Sequence, residues 1–311
     1  MNRRTFCAIL PVAGALRPAE AASRQPPPRE RLLFDHDWRF LLGDPSGAES
    51  PSYDAAAWRT VDAPHDWSIE GKIDPQNPTG GSGGFFPAGV GWYRRTFTVP
   101  AGWSAKRVSV EFEGIYMNAT VYINGHDLGM HPYGYTSFSH DLTPHLKSGR
   151  NNVLAVRVDQ SQQRNSRWYS GSGIYRHVWL NVTGPVHVAP WGVFVTTPEV
   201  SAAQAKVSVK TRLANESSNK SNVTLRTVIY AGSGAAVGRS NSSATVEPGG
   251  SIEVSQEIAI AKPALWAPES PALYRVVTQV VVDGKAVDEV STPFGIRSLE
   301  WSAEKGFSAE R

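Results

Sequence analysis

The sequence predicts an all-β protein of two domains. Three observations carry that reading. Run after run alternates apolar and polar residues with period two, as a strand with one buried face requires. Glycine-containing turn pairs separate these runs, and no segment shows a helical apolar stripe longer than about three turns. At 311 residues, 41% hydrophobic and 19% charged, the chain is long enough to bury more than one core.

The elements follow in chain order. Residues 1–22, "MNRRTFCAILPVAGALRPAEAA", place Arg3 and Arg4 before a short apolar run and end on Ala19-Glu20-Ala21, a small-x-small cleavage pattern. Pro11 and Arg17 shorten the apolar region, but the order reads as an export signal, and Arg-Arg-Thr-Phe resembles the twin-arginine type. A periplasmic or secreted product is expected. No later run approaches the roughly 18 apolar residues of a spanning helix, so no membrane span is expected. Cys7 is the single cysteine, which excludes an intrachain disulfide or a thiolate metal site.

"SRQPPPRE" (23–30) reads as a Pro-rich linker, because consecutive prolines lack amide donors and hold an extended backbone. A first domain is drawn over 31–188, with strands at 107–115, 119–129, 151–159 and 176–182. Asn124-Gly125 supplies the positive φ angles of a type I′ hairpin turn. A second domain over 189–297 carries short strands within 206–215, 221–231, 243–260 and 272–296, with Asp283-Gly284 as another hairpin signal. About seven strands in roughly 100 residues match the rhythm of an immunoglobulin-like sandwich. Residues 298–311 are read as the start of a linker to a further domain.

Charge and motifs exclude several functions. The formal charge of +3 comes without a Lys/Arg block, so nucleic-acid binding has no support. No phosphate-binding glycine loop or serine elbow occurs, and no cofactor is evident. His126, His131, His140 and His145 lack metal-type spacing and read as turn and surface histidines. The pairs Glu111/Glu113 and Asp35/Asp37 lie two apart on predicted strands and read as solvated carboxylates.

Two stretches remain as candidate sites. "SRWYSGSGIYRHVWL" (166–180) crowds Trp168, Tyr169, Tyr175 and Trp179 around Gly171 and Gly173. It is either a packed strand end or a wall on which a sugar ring stacks. Residues 64–95, with glycines at 80, 81, 83 and 84, are irregular, and long loops on rigid sandwiches carry binding function. His65 and Asp66 are candidates for a site rim there; the alternative is a structural stretch with Trp67 and Trp92 in the core.

The order "FDHDWRF" (34–40), "PHDW" (64–67), "GVGWYRRTFTVP" (89–100), "FEGIYMNATVYINGHDLGMHPYGYTSFSHDLTPHL" (112–146), "VRVDQS" (156–161), "RWYSGSGIYRHVWL" (167–180), "LWAPESPALYRV" (265–276) and "FGIR" (294–297) resembles glycoside hydrolase family 2. The resemblance runs from about residue 31 to the C-terminus. It implies a jelly-roll, galactose-binding-like β-sandwich followed by an immunoglobulin-like β-sandwich, then a (β/α)8 barrel with the chemistry. Retaining hydrolysis needs a proton-donating carboxylic acid and a second carboxylate about 5 Å away; the family carries both glutamates on the barrel. "FGIR" and "GFSAER" (306–311) resemble the approach to that barrel, so this chain alone is expected to be inactive. The barrel is expected in cis or from an adjacent reading frame.

"PHDW" and the Gly-rich phrase resemble β-galactosidase-type members more than glucuronidases or mannosidases, which implies a β-galactoside-type glycan as partner. The resemblance also leaves room for an alkali or magnesium ion in the complete enzyme. In the galactosidase branch an aspartate after the "VRV" strand binds the nonreducing sugar, and Asp159 matches it. A carboxylate accepts hydroxyl hydrogen bonds at fixed angles and so discriminates hydroxyl stereochemistry; the competing role for Asp159 is to cap loop 159–167. Arg167, Trp168, Tyr169 and Arg176 are read as a docking and site-edge element, with Trp168 either on the sugar or packed, and an apolar patch is expected near Trp168 and the domain junction. Two other readings stay open: a stand-alone carbohydrate-binding protein, and a structural or adhesive sandwich pair.

Overall fold

A computed structural model of the chain describes residues 28–162, 170–304 and 306–310. The export-signal segment 1–22 and the candidate residues Arg167, Trp168 and Tyr169 lie outside the described residues. With 55% strand and 5% helix, the protein is all-β.

The first sandwich contains Glu30–Leu33 (β1), Trp38–Leu42 (β2), Arg59–Val61 (β3), Gly89–Thr98 (β4), Arg107–Phe112 (β5), Ala119–Ile123 (β6), His126–His131 (β7), Phe138–Asp141 (β8), Asn151–Gln160 (β9) and Val178–Thr183 (β10). A six-stranded sheet in the order β3-β2-β4-β9-β6-β7 faces a four-stranded sheet β1-β10-β5-β8. Alternation decides which side chains enter the space between them. In β5, Val108, Val110 and Phe112 are buried while Arg107, Ser109 and Glu111 turn outward. Trp38, Ile123, Val156, Val158 and Leu180 join the same core. Burying such a side chain contributes about 1.5–3 kcal/mol, and no cysteine lies within this sandwich to help.

The second sandwich is built from Val186–Val200 (β11), Gln204–Asn215 (β12), Ser221–Tyr230 (β13), Ala236–Val246 (β14), Ser251–Ala261 (β15), Tyr274–Val282 (β16) and Lys285–Phe294 (β17). Sheet β11-β12-β15 packs on sheet β14-β13-β16-β17, giving the expected seven strands. Where antibody domains carry a disulfide between sheets, this domain places a buried hydrogen bond of 2.6 Å from Thr227 Oγ1 on β13 to Gln256 Oε1 on β15. Apolar side chains such as Val207, Ile229, Ile258 and Val276 close around it.

Both hairpin signals form as expected. Asn124 and Gly125 have φ of 52° and 85° between β6 and β7. Asp283 and Gly284, at 48° and 78°, join β16 to β17.

Some expectations need correction. Asp35 is not solvated: it is 2% exposed, and its carboxylate accepts the Val178 amide at 2.8 Å and meets His177 Nδ1 at 2.6 Å. Strand β11 pairs with β12 from Val186 onward, opposite Asn215, so the second unit opens directly after Gly184-Pro185. Residues Ser298–Ser302 (β18) and Gly306–Glu310 (β19) pair as a hairpin where a linker was expected. Arg29 of the Pro-rich segment is not a free spacer either. Its guanidinium grips both oxygens of Asp288 on β17 at 2.8 Å each and the carbonyl of Val188, strapping the start of the first domain to the second.

Candidate functional site

The candidate residues gather at one end of the first sandwich, where β9 finishes at Gln160 and the chain returns through 170–177. Segment 64–68 crosses the same place. His65 N donates to Ile174 O at 2.7 Å and Trp67 N to Ser172 O at 3.1 Å, so the loops are laced by backbone bonds. At their base sits a polar knot that the sequence did not disclose. Ser68 Oγ contacts Ser172 Oγ at 2.6 Å, Ser172 Oγ also reaches Gln160 Oε1, and Gln160 Nε2 donates to Ser170 O at 3.3 Å.

Asp66 serves this scaffold. It caps the short helix Trp67–Glu70 (α1) through Ser68 N at 2.9 Å, and the same oxygen accepts Ser172 N at 2.8 Å. A Cβ on Gly171 would stand 2.0 Å from the other Asp66 oxygen, so only glycine lets the two loops close.

His65 is buried beside Tyr93, with Nδ1 2.6 Å from the phenol oxygen; Nε2 lies 3.2 Å from Glu70 Oε2 and 2.8 Å from Arg59. Burial pushes its pKa below the ordinary histidine value, against the opposing pull of Glu70. Trp67 and Trp92 are each 3% exposed and belong to cores, as the structural alternative held.

Asp159 stands at the edge of the knot. Its Oδ1 accepts both Ser161 N at 2.9 Å and Ser161 Oγ at 2.6 Å, and its Oδ2 accepts Arg157 at 3.2 Å. A carboxylate offers about four acceptor directions. Three are used among the described residues. Partial burial pushes this carboxyl up, but the Ser161 hydrogen bonds and the Arg157 charge outweigh it and hold the pKa below the usual value. Arg157 is fixed in turn by a two-pronged bond to Asp44 at 2.9 and 2.6 Å, and Asp44 also accepts Trp92 Nε1 at 2.8 Å. The hydrogen bonding of Asp44 pushes the Arg157 pKa up.

Arg176 points elsewhere: it is exposed and pairs with Glu113 within the same domain at 3.6 Å. Tyr175 and Trp179 are packed at the strand end, with Tyr175 hydroxyl donating to Gly134 O at 2.7 Å and Trp179 covered by Arg31 at 4.0 Å.

Tyr133 and Tyr135, 57% and 56% exposed with rings 5.7 Å apart, were not singled out from the sequence. The Tyr-Gly-Tyr phrase is their only signal: a Cβ on Gly134 would lie 2.2 Å from the Tyr116 ring, so this glycine lets the tyrosines stand out. Among the described residues no group of three His, Cys, Asp or Glu side chains is arranged to hold a metal ion, and no helix is long and apolar enough to cross a membrane.

The profile of the sugar binding domain of glycosyl hydrolases family 2 matches residues 34–185, and a second profile of the same family matches 186–297. The chain belongs to glycosyl hydrolase family 2. It is 48% identical over 281 residues to Beta-galactosidase BoGH2A of Bacteroides ovatus, covering 90% of this chain and 33% of that protein. A Beta-glucuronidase of Formosa agariphila is 32% identical over 300 residues, covering 90% and 31%. Among solved structures, a glycosyl hydrolase family 2 member from Bacteroides cellulosilyticus superposes with a TM-score of 0.85 at 39% identity, over 90% of this chain and 37% of that one. The family 2 chain described here therefore spans about a third of the length of these relatives and corresponds to their N-terminal part.

Proposed function

We propose that this chain is the noncatalytic N-terminal portion of an exported family 2 glycosidase that hydrolyses terminal β-galactosides with retention. The loop end bearing Asp159 forms one wall of the sugar pocket, and a (β/α)8 barrel supplies the acid and nucleophile. The carrying observation is Asp159 itself: a carboxylate oriented through Arg157, Asp44 and Trp92, with three of its acceptor directions used among the described residues. The 48% identity to a β-galactosidase, against 37% to a relative named "Putative beta-glucuronidase" and 32% to a β-glucuronidase, supports the galactoside reading. Export rests on Arg3-Arg4 and on Ala19-Glu20-Ala21.

The test expresses this chain together with the DNA that follows its last codon and purifies it through a tag on the chain. Nitrophenyl β-galactoside and β-glucuronide are the substrates. Galactoside turnover is expected, with Asp159→Ala raising KM about tenfold or more for loss of a charge-assisted contact. Preference for the glucuronide would overturn the specificity. Turnover by the 311-residue chain alone, abolished by changing one of its own carboxylates, would overturn the division of labour. Cell fractionation and N-terminal sequencing of the product test export, with a mature end near Ala22 expected.

A further inference from the structure

A cleft of about 620 Å³ opens between the two sandwiches, at the Thr183 end of β10. The loop knot lies at the Val178 end of that strand, roughly 17 Å away at about 3.3 Å per residue. One wall is the outward face of β5, β8 and β10; the other is an interruption in β11. Pairing of β11 with β12 jumps from Val188↔Leu213 to Val193↔Thr211, so Ala189 to Gly192 loop out opposite Arg212 alone.

The tip of this bulge is Trp191. Its φ is +50°, a left-handed conformation that costs an ordinary side chain strain, yet the residue is 61% exposed. Packing therefore does not recover that strain. Its indole makes no hydrogen bond or ring contact among the described residues. Gly192 permits the arrangement, since a Cβ there would meet Ala189 O at 2.7 Å and Arg212 O at 2.9 Å. The fold thus holds a free aromatic plate over a cavity.

The facing wall is polar. Among the described residues the Ser109 hydroxyl has no hydrogen-bond partner, and Asn181 spends its amide N–H on Glu111 at 3.0 Å while its amide oxygen has none. Three arginines and four carboxylates line the cleft, a near balance that favours an uncharged ligand over an anion or a cation. An exposed indole face opposite hydroxyl and amide groups, in a volume within the range of ligand sites, is suited to a sugar ring: apolar C–H face on the indole, hydroxyls on the opposite wall. We infer that this junction cleft is a second saccharide-binding site, for a neutral oligosaccharide, with Trp191 as its stacking platform. It requires no barrel and does not depend on the galactosidase reading.

The experiment titrates the purified full chain with lactose, galactotetraose, cellotetraose and xylotetraose by calorimetry. Trp191→Gly is the decisive variant, because glycine accepts the positive φ without strain and the fold is retained. At least one probe is expected to bind, about tenfold or more weaker in Trp191→Gly, with an unchanged melting temperature and with Trp301→Ala, an exposed tryptophan on β18 that does not line the cleft, binding as wild type. Absence of heat with every probe would overturn the neutral-saccharide assignment. Binding that survives Trp191→Gly, or that is lost in Trp301→Ala instead, would overturn the location. Neither result bears on the glycosidase assay, so the two readings fail separately.

Discussion

His65 shows how a residue can be legible as important without its role being legible. The "PHDW" phrase marked it, but its partners Arg59 and Glu70, six residues before and five after, and the distant Tyr93 follow no spacing rule that links them. With its folded pKa lowered by burial, the unfolded chain binds a proton more readily than the native one. Stability is then fully present above the unfolded value of about 6.5 and falls as pH drops below it. His140 and His187 are lowered by burial in the same direction. Calorimetric melting between pH 7.5 and 5 is expected to show a falling Tm, less steep in His65→Gln. Asp159 was found through the resemblance, which places an aspartate after the "VRV" strand, and its partners Arg157 and Ser161 are local; Asp66 was harder to assign because it caps a loop 106 residues away.

Strands with one buried face and a diagnostic turn were readable, edge strand β17 among them, whereas the start of edge strand β14 was not. Asp283-Gly284 specified its hairpin from two residues. Nothing stands within 4 Å of a Cβ at Gly284, so only the backbone conformation resists substitution. Gly284→Ala is therefore expected to cost about 1 kcal/mol in urea denaturation, with an unchanged slope. Strand β14 is the contrasting case. It begins at Ala236, seven residues before the run at 243 was drawn, because "AVGRSNS" alternates between exposed and half-exposed positions with little apolar signal. Edge strands avoid an apolar outer face to discourage pairing with other chains, which erases the pattern used to detect them. The bulge at Ala189 to Gly192 was hidden for a related reason, since a four-residue excursion inside a strand leaves the surrounding alternation intact.

At the scale of the whole molecule, two sandwiches in series were foreseen but their junction was not. Arg29 was read as part of a spacer, yet it neutralises Asp288, which has no exposed surface. Removing one partner of a buried pair leaves the other charge without compensation, so Arg29→Ala is expected to cost about 3–5 kcal/mol. Two separate calorimetric transitions are expected to replace one as the domains uncouple. Trp301 and Phe307, on the β18–β19 hairpin, keep large apolar faces in solvent, 79% and 53% exposed. The alternating pattern could not reveal this, because a two-stranded ribbon has no opposing layer within the described residues.

The opening strand β1 lies antiparallel to the closing strand β10, with Glu30 opposite Val182. Entry and exit of the first sandwich are therefore neighbours on one sheet, and one covalent connection, Gly184-Pro185, carries the chain from it to the second sandwich. Such a module is transplantable: it can be grafted into a host loop at one point, or circularly permuted by bridging Thr183 to Glu30 and reopening the chain at an exposed turn such as Ser148-Gly149, without threading the chain through another core.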